Sequence, residues 1–156
     1  MTAADASHSG GCQCGAVRFR VTELGRASVC YCRMCQKATA GLGGFFVTAT
    51  AFEWTRGAPK HFASSNVARR GFCGDCGTPL TFESGGAVDL SIVTFDDPEA
   101  VAPTVQLAPD SRVHWSDHLA ALPRRPDNDG SYAARLAAIV SHQHPDHDTD
   151  HWKPAR

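Results

Sequence analysis

Apolar residues along this chain fall in short alternating runs more than at helical spacing. Val17, Phe19 and Val21 alternate with Arg18 and Arg20, the period-two pattern of a strand with one buried face. Residues 45–50, 52–55, 67–72, 80–83 and 88–95 form further short runs that predict strands. Residues 41–44, 57–59, 74–79 and 85–86 lie between them and carry the glycines and prolines that turns require. Residues 34–40 predict one or two helical turns. Beyond Pro98 the prolines break the chain into irregular structure with one more strand, through Val105 and Leu107 towards Trp115. The fold class this predicts is mainly β, built of many short strands. Residues 1–10, small and polar, read as a flexible leader, and residues 11–126 as the folded domain. Residues 127–156 read as an extension in which Ser131 caps a helix over residues 132–142, with Leu136, Ile139 and Val140 on one side. The histidine- and aspartate-rich end from residue 142 holds so little apolar material that it reads as a solvated tail.

Composition narrows the function classes. A chain of 156 residues fits one domain and can bury roughly 70% of its unfolded surface. The hydrophobic share of 42% against 20% charged is ordinary for a globular protein, and no apolar run approaches the ~20 residues needed to span a bilayer. A net charge of -1 argues against nucleic acid as a partner, since phosphate binding draws on excess cations. The first ten residues have neither a cationic start nor an apolar stretch, which predicts a cytoplasmic protein in a reducing compartment. There are seven cysteines, an odd number that complete intrachain pairing cannot accommodate.

Those cysteines are grouped as Cys12-Gln13-Cys14, Cys30-Tyr31-Cys32-Arg33-Met34-Cys35 and Cys73-Gly74-Asp75-Cys76. Zn²⁺ takes four tetrahedral ligands, and such spacings place two thiolates on one ion with little chain strain. Cys73 and Cys76 with Gly74 and Gly77 resemble a zinc knuckle, and Cys12 with Cys14 can complete a closed four-sulfur site. Cys30, Cys32 and Cys35 then remain. Three thiolates leave the fourth position of a zinc open, as in catalytic sites, and an open position suits activation of an incoming thiol. Alternative divisions are one structural zinc with three spare thiols, or two structural zincs with His61 or His114 completing the second. Buried, unligated cysteines would not produce this spacing.

The ordered triple of motifs resembles the glutathione-dependent formaldehyde-activating enzyme family, which also includes centromere protein V. The likeness runs from Gly11-Cys12-Gln13-Cys14-Gly15-Ala16-Val17-Arg18-Phe19 through residues 30–41 and Arg70-Gly71-Phe72-Cys73-Gly74-Asp75-Cys76-Gly77-Thr78-Pro79-Leu80 to Trp115 and Leu122-Pro123. It implies an Mss4-like β-tent of small antiparallel sheets. It also implies two zinc ions, a structural one on Cys12, Cys14, Cys73 and Cys76 and a catalytic one on Cys30, Cys32 and Cys35. The implied partners are glutathione or another small thiol and a small aldehyde, with the thiol added to formaldehyde or a related electrophile in a carbon–sulfur lyase-type reaction. Homo-oligomerisation is left open. The rival reading is a non-catalytic zinc-stabilised module that binds a protein partner; chromatin binding in the manner of centromere protein V is disfavoured by the charge. The chain departs from the family at Tyr31 and Gln106, where histidine is common, and at Ala120, where an acidic residue often precedes Leu-Pro.

Other residues carry two readings each. Arg33, Lys37, Arg69 and Arg70 could bind carboxylates of a glutathione-like ligand, or be solvated charges or offset thiolate charge. Phe45, Phe46, Phe72 and Trp115 could wall a pocket or belong to the core. Thr39 could hydrogen-bond the sulfurs of the second metal. His142, His144, His147 and His151 could bind metal or lie in a solvated tail.

Overall fold

The alternating runs become an antiparallel sheet. The computed structural model describes residues 7–153. Its strands are β1 (His8–Gly11), β2 (Arg18–Cys30), β3 (Gly44–Arg56), β4 (Lys60–Ala63), β5 (Ala68–Phe72), β6 (Pro79–Ser84), β7 (Ala87–Ser91) and β8 (Val105–Leu107). Helix α1 covers Arg33–Thr39, α2 covers Ser131–Ala137, and 3₁₀ turns include Ile92–Thr94 and His114–Ala121. Hydrogen bonding runs in the order β1-β2-β3-β7-β6-β5-β4, while β8 pairs in parallel with β2. No helix among the described residues is long and apolar enough to cross a membrane.

The longest strands organise the rest. In β2 the register against β3 shifts repeatedly between Arg18 and Ala27, and such bulges bend a strand and increase its twist. The bend lets one strand pair with β1 at residues 18–21 and with β8 at residues 28–30. Residues 45–50 and 52–55, expected as two strands, are one continuous β3 because no glycine or proline separates them. Strand β4 gave no periodic signal: all four of its residues are exposed, so no face is marked by burial. The run 88–95 stops as a strand at Ser91 and tightens into a 3₁₀ turn.

Two apolar clusters hold the sheet. Phe19, Val21, Val47, Leu90, Ile92 and Phe95 form the larger one, where Phe19 packs edge-on against Phe95 at 5.1 Å and Trp54 at 6.1 Å between ring centres. A Cβ on Gly10 would lie 2.4 Å from the Phe19 ring, so β1 reaches this core only through glycine. The smaller cluster joins Cys12, Val17, Cys73 and Leu80, from opposite ends of the sheet path.

Both terminal expectations need correction. Residues 1–6 of the expected leader lie outside the described residues, but His8, Ser9 and Gly10 are paired with β2. Helix α2 ends at Ala137, and Ser131 is not its cap: the Asp127 carboxylate accepts from the amides of Tyr132 and Ala133. The expected solvated tail instead returns to the sheet. The buried Arg18 guanidinium donates to Asp96 at 2.6 and 2.8 Å and to Asp148 at 2.8 Å, and Arg20 also reaches Asp148 at 2.9 Å. Arg56 donates to the carbonyls of Gly15 and Thr149, the indole of Trp152 donates to the Cys14 carbonyl at 2.6 Å, and the His144 amide donates to that of Gln13 at 2.8 Å. Polar composition predicted solvation because the tail's partners are cations on β2 and β3, remote in sequence.

This strap carries a pH signature. Burial would raise the Asp96 carboxyl, but the Arg18 guanidinium and the Ser9 hydroxyl outweigh it and hold it below the usual carboxylate range. For Asp148 burial is likewise outweighed by Arg18 and Arg20. Both groups are more acidic folded than unfolded, so their contribution is complete well above the unfolded value of about 3.9 and is lost as pH falls through the lower folded values. Trp152 fluorescence should therefore report release of the strap on acidification below about pH 4. In urea unfolding of metal-loaded protein, Asp96→Asn should cost about 3 kcal/mol by stranding a buried cation, whereas Asp148→Asn, with its side chain 40% exposed, should cost under about 1 kcal/mol. The reverse order would contradict this account.

Candidate metal centres

Two facing turns build the first cluster. Cys12 and Cys14 lie between β1 and β2, where the Cys12 amide donates to the Val17 carbonyl and the Gly15 amide to the Cys12 carbonyl. Cys73 and Cys76 lie between β5 and β6, where the Cys73 amide donates to the Thr78 carbonyl and the Gly77 amide to the Cys73 carbonyl. Gly15 and Gly77 close these turns at φ +76° and +78°, the left-handed region that favours glycine. At Gly15 a Cβ would also strike His144 and Trp152 of the strap.

The four sulfurs lie within 4.8 Å of one another, with Cys12–Cys14 at 3.6 Å and Cys14–Cys73 at 3.8 Å. A disulfide needs about 2.05 Å, whereas tetrahedral zinc with Zn–S near 2.3 Å sets sulfurs about 3.8 Å apart. The donor set therefore fits zinc. The Val17 amide donates to Cys12 Sγ at 3.2 Å. Thr78 Oγ1 accepts the Gln13 amide at 3.0 Å, which leaves its own proton for Cys76 Sγ at 3.1 Å. Burial pushes the Cys12 and Cys14 thiols up. Cys76 is opposed by burial too, yet the Thr78 hydroxyl and nearby amides bring it down to about 6. Without a cation, these thiols cannot all ionise together.

Cys30, Cys32 and Cys35 form the second cluster, again within 4.8 Å of one another. Cys30 ends β2, Cys32 precedes α1 and accepts the Cys35 amide at 3.4 Å, and Cys35 is buried in the first turns of α1. Gln36 pins this helix: its two amide protons go to the carbonyls of Tyr31 at 2.8 Å and Ser111 at 3.0 Å, and its oxygen accepts from Arg33. Arg70 on β5 donates to Cys35 Sγ at 3.4 Å and stacks over the Phe82 ring at 4.9 Å. Burial raises the Cys35 thiol to about 12 despite Arg70. At Cys32 burial is outweighed by the Cys35 amide and the neighbouring thiols, and its thiol is lowered. No histidine or carboxylate joins either cluster among the described residues. His61 bonds Glu83 at 2.8 Å, so it is engaged elsewhere.

The remaining candidates divide clearly. Arg70 offsets thiolate charge, Arg69 pairs with Glu83 at 2.7 Å away from the sulfurs, and Lys37 lines a cavity beside α1. Phe45 packs on the larger core, Phe46 and Phe72 line that cavity, and Trp115 is exposed. Thr39 does not bond a sulfur; its hydroxyl lies 2.9 and 3.0 Å from the carbonyls of Cys35 and Gly43, closing the α1 loop. His144 is buried against Trp152, and the tail histidines form no metal group among the described residues. Sequence reasoning missed Thr78, Gln36, Arg56 and Trp152. Thr78, two residues from Cys76 inside the turn, is the one whose spacing could have revealed its role.

Comparison with known proteins bears on these clusters. The family model described as glutathione-dependent formaldehyde-activating enzyme matches residues 7–111, about two thirds of the chain. A crystal structure of a Rhodobacter sphaeroides protein superposes with a TM-score of 0.51 at 20% identity, over 63% of this chain and 98% of that one. This likeness shows a shared fold.

Metal counting and two variants test the division of sulfurs. Pure protein should take up two equivalents of zinc or cobalt. Cys73→Ser should unfold it, because a structural zinc contributes about 10–16 kcal/mol, comparable with or larger than a domain's whole stability. Cys32→Ser should retain native circular dichroism and one tightly held ion. Equal unfolding of both variants would show that the clusters do not differ in role.

Proposed function

The chain belongs to the glutathione-dependent formaldehyde-activating enzyme family, and on that premise we propose that it is a zinc-dependent carbon–sulfur lyase-type enzyme. It joins glutathione or another small thiol to formaldehyde or a related aldehyde, and runs the reverse elimination. The observation that carries this reading is the second cluster: three sulfurs converge and no fourth protein ligand joins them among the described residues. Zinc bound there would supply Lewis acidity that lets an added thiol lose its proton near neutral pH.

The chain's own residues hold and orient. Cys30 is fixed by pairing with Gly44 at the end of β2, and Cys32 and Cys35 by the first turn of α1, whose backbone Gln36 ties to Tyr31 and Ser111. Arg70 keeps a positive charge against Cys35, which offsets the charge of three thiolates. In the addition, a sulfur lone pair of the substrate thiol forms the S–C bond to the carbonyl carbon. The C=O π pair passes to oxygen, and the proton released by the thiol ends there, giving the hydroxymethyl thioether. Seven free cysteines suit a reducing compartment, and we assign the activity to the cytoplasm.

Cobalt-substituted protein provides the test. Millimolar thiol should shift its visible spectrum, the shift should vanish in Cys32→Ser, and turnover of thiol with formaldehyde should fall at least 100-fold with it. A spectrum indifferent to thiol would indicate a closed site and favour the reading as a protein-binding module.

A further inference from the structure

The cavity beside the second cluster does not look built for formaldehyde. It occupies about 430 Å³ between α1 and the β5–β6 hairpin, well inside the size range of small-molecule sites. Met34, Phe46, Phe62, Phe72 and Pro79 supply apolar wall; among the described residues Lys37 and Arg70 are its only charged groups and no carboxylate lines it. Arg70 is shared with the cluster: it lines the cavity and also donates to Cys35 Sγ at 3.4 Å. Met34 and Phe62 stand 59% and 64% exposed, on a short helix and an edge strand where nothing in the fold requires large apolar side chains. A guest that covered them would take apolar surface out of water.

We infer that this cavity holds the non-reacting body of an aldehyde substrate or its thiol adduct, and that this body is an apolar ring or branched chain carrying one anionic group. The inference rests on the thiol-adding reading of the adjacent cluster and specifies its electrophile. With Arg70 turned towards the sulfurs and no carboxylate among the described lining residues, Lys37 favours an anion and disfavours a cation. Apolar walls favour a hydrocarbon body and disfavour a zwitterionic peptide, whose polar groups would lose water without gaining partners. Formaldehyde fills a small fraction of the volume and touches neither feature. Glutathione, with its amides and several charges, would leave polar groups unpaired against these walls.

Unreactive probes separate the contributions, titrated by calorimetry into the two-zinc protein. 3-Phenylpropionate has the apolar body and the anion, 3-phenylpropanol only the body, and acetate only the anion. The expected order is 3-phenylpropionate bound about tenfold more tightly than the alcohol, with acetate weakest. Phe62→Asp should weaken 3-phenylpropionate by more than tenfold, and Lys37→Gln should erase its advantage over the alcohol; metal content and circular dichroism verify that each variant is folded. Acetate binding as tightly as 3-phenylpropionate, or affinity unchanged by Phe62→Asp, would overturn the inference by showing that the carboxylate goes to metal or elsewhere. The cobalt spectrum distinguishes the two levels. Thiol that shifts it while 3-phenylpropionate fails to bind leaves the enzyme reading standing and removes this one.

Discussion

Four thiol sulfurs crowded within 4.8 Å cannot all carry charge unless a cation sits among them. That constraint ties residues 12–14 to residues 73–76 and so joins the two halves of the sheet path. The smaller apolar cluster is built directly on it, since Cys12 and Cys73 are themselves members alongside Val17 and Leu80. Glycines at positive φ and the amide of Val17 serve the same clasp, shaping turns that aim sulfur inward and hydrogen-bonding it there. In a domain of this size, a metal held there would supply stabilisation that larger domains draw from apolar burial.

The second cluster is placed by the first at one remove. Strand β5 leads into Cys73 and carries Arg70 three residues earlier, so a strand anchored by the clasp delivers a guanidinium to Cys35. On the other side, Cys30 and α1 follow from the end of β2, whose beginning is anchored by the same clasp through Cys12 and Cys14. The clusters differ in their surroundings. The four-sulfur turns are hydrogen-bonded to the strap through Trp152 and His144, and Arg56 of β3 bonds to both. The three-sulfur group lacks a fourth ligand from the described chain and borders an apolar cavity through Arg70. Four converging sulfurs could close a zinc site, whereas three would leave one position open.

The strap shows how polar chain becomes structure. Buried Arg18 requires compensation, and it receives one carboxylate from Asp96 and another from Asp148, more than a hundred residues away. An exposed ion pair stabilises little, as with Asp148, but a cation that is 4% exposed makes its buried partner Asp96 costly to lose. The segment thus docks by satisfying charges that the sheet has already buried.

Much of the fold and the sulfur chemistry was legible in the order of residues, for identifiable reasons. Alternation at Val17, Phe19 and Val21 reports one buried face, and C-x-C with C-x2-C reports two donors within reach of one ion, because both patterns are local. The division into four sulfurs and three followed from the same spacings and reappears in the distances. What needed three dimensions was every relation between distant segments. Strand β4 is exposed and marks no face; β2 bends through bulges that have no fixed residue signature; Arg70 could be free or bound until Cys35 was brought beside it. The histidine- and aspartate-rich end read as solvated because composition measures a segment's own hydrophobicity, whereas its fate was decided by buried Arg18 and half-buried Arg56 on strands it meets only after folding.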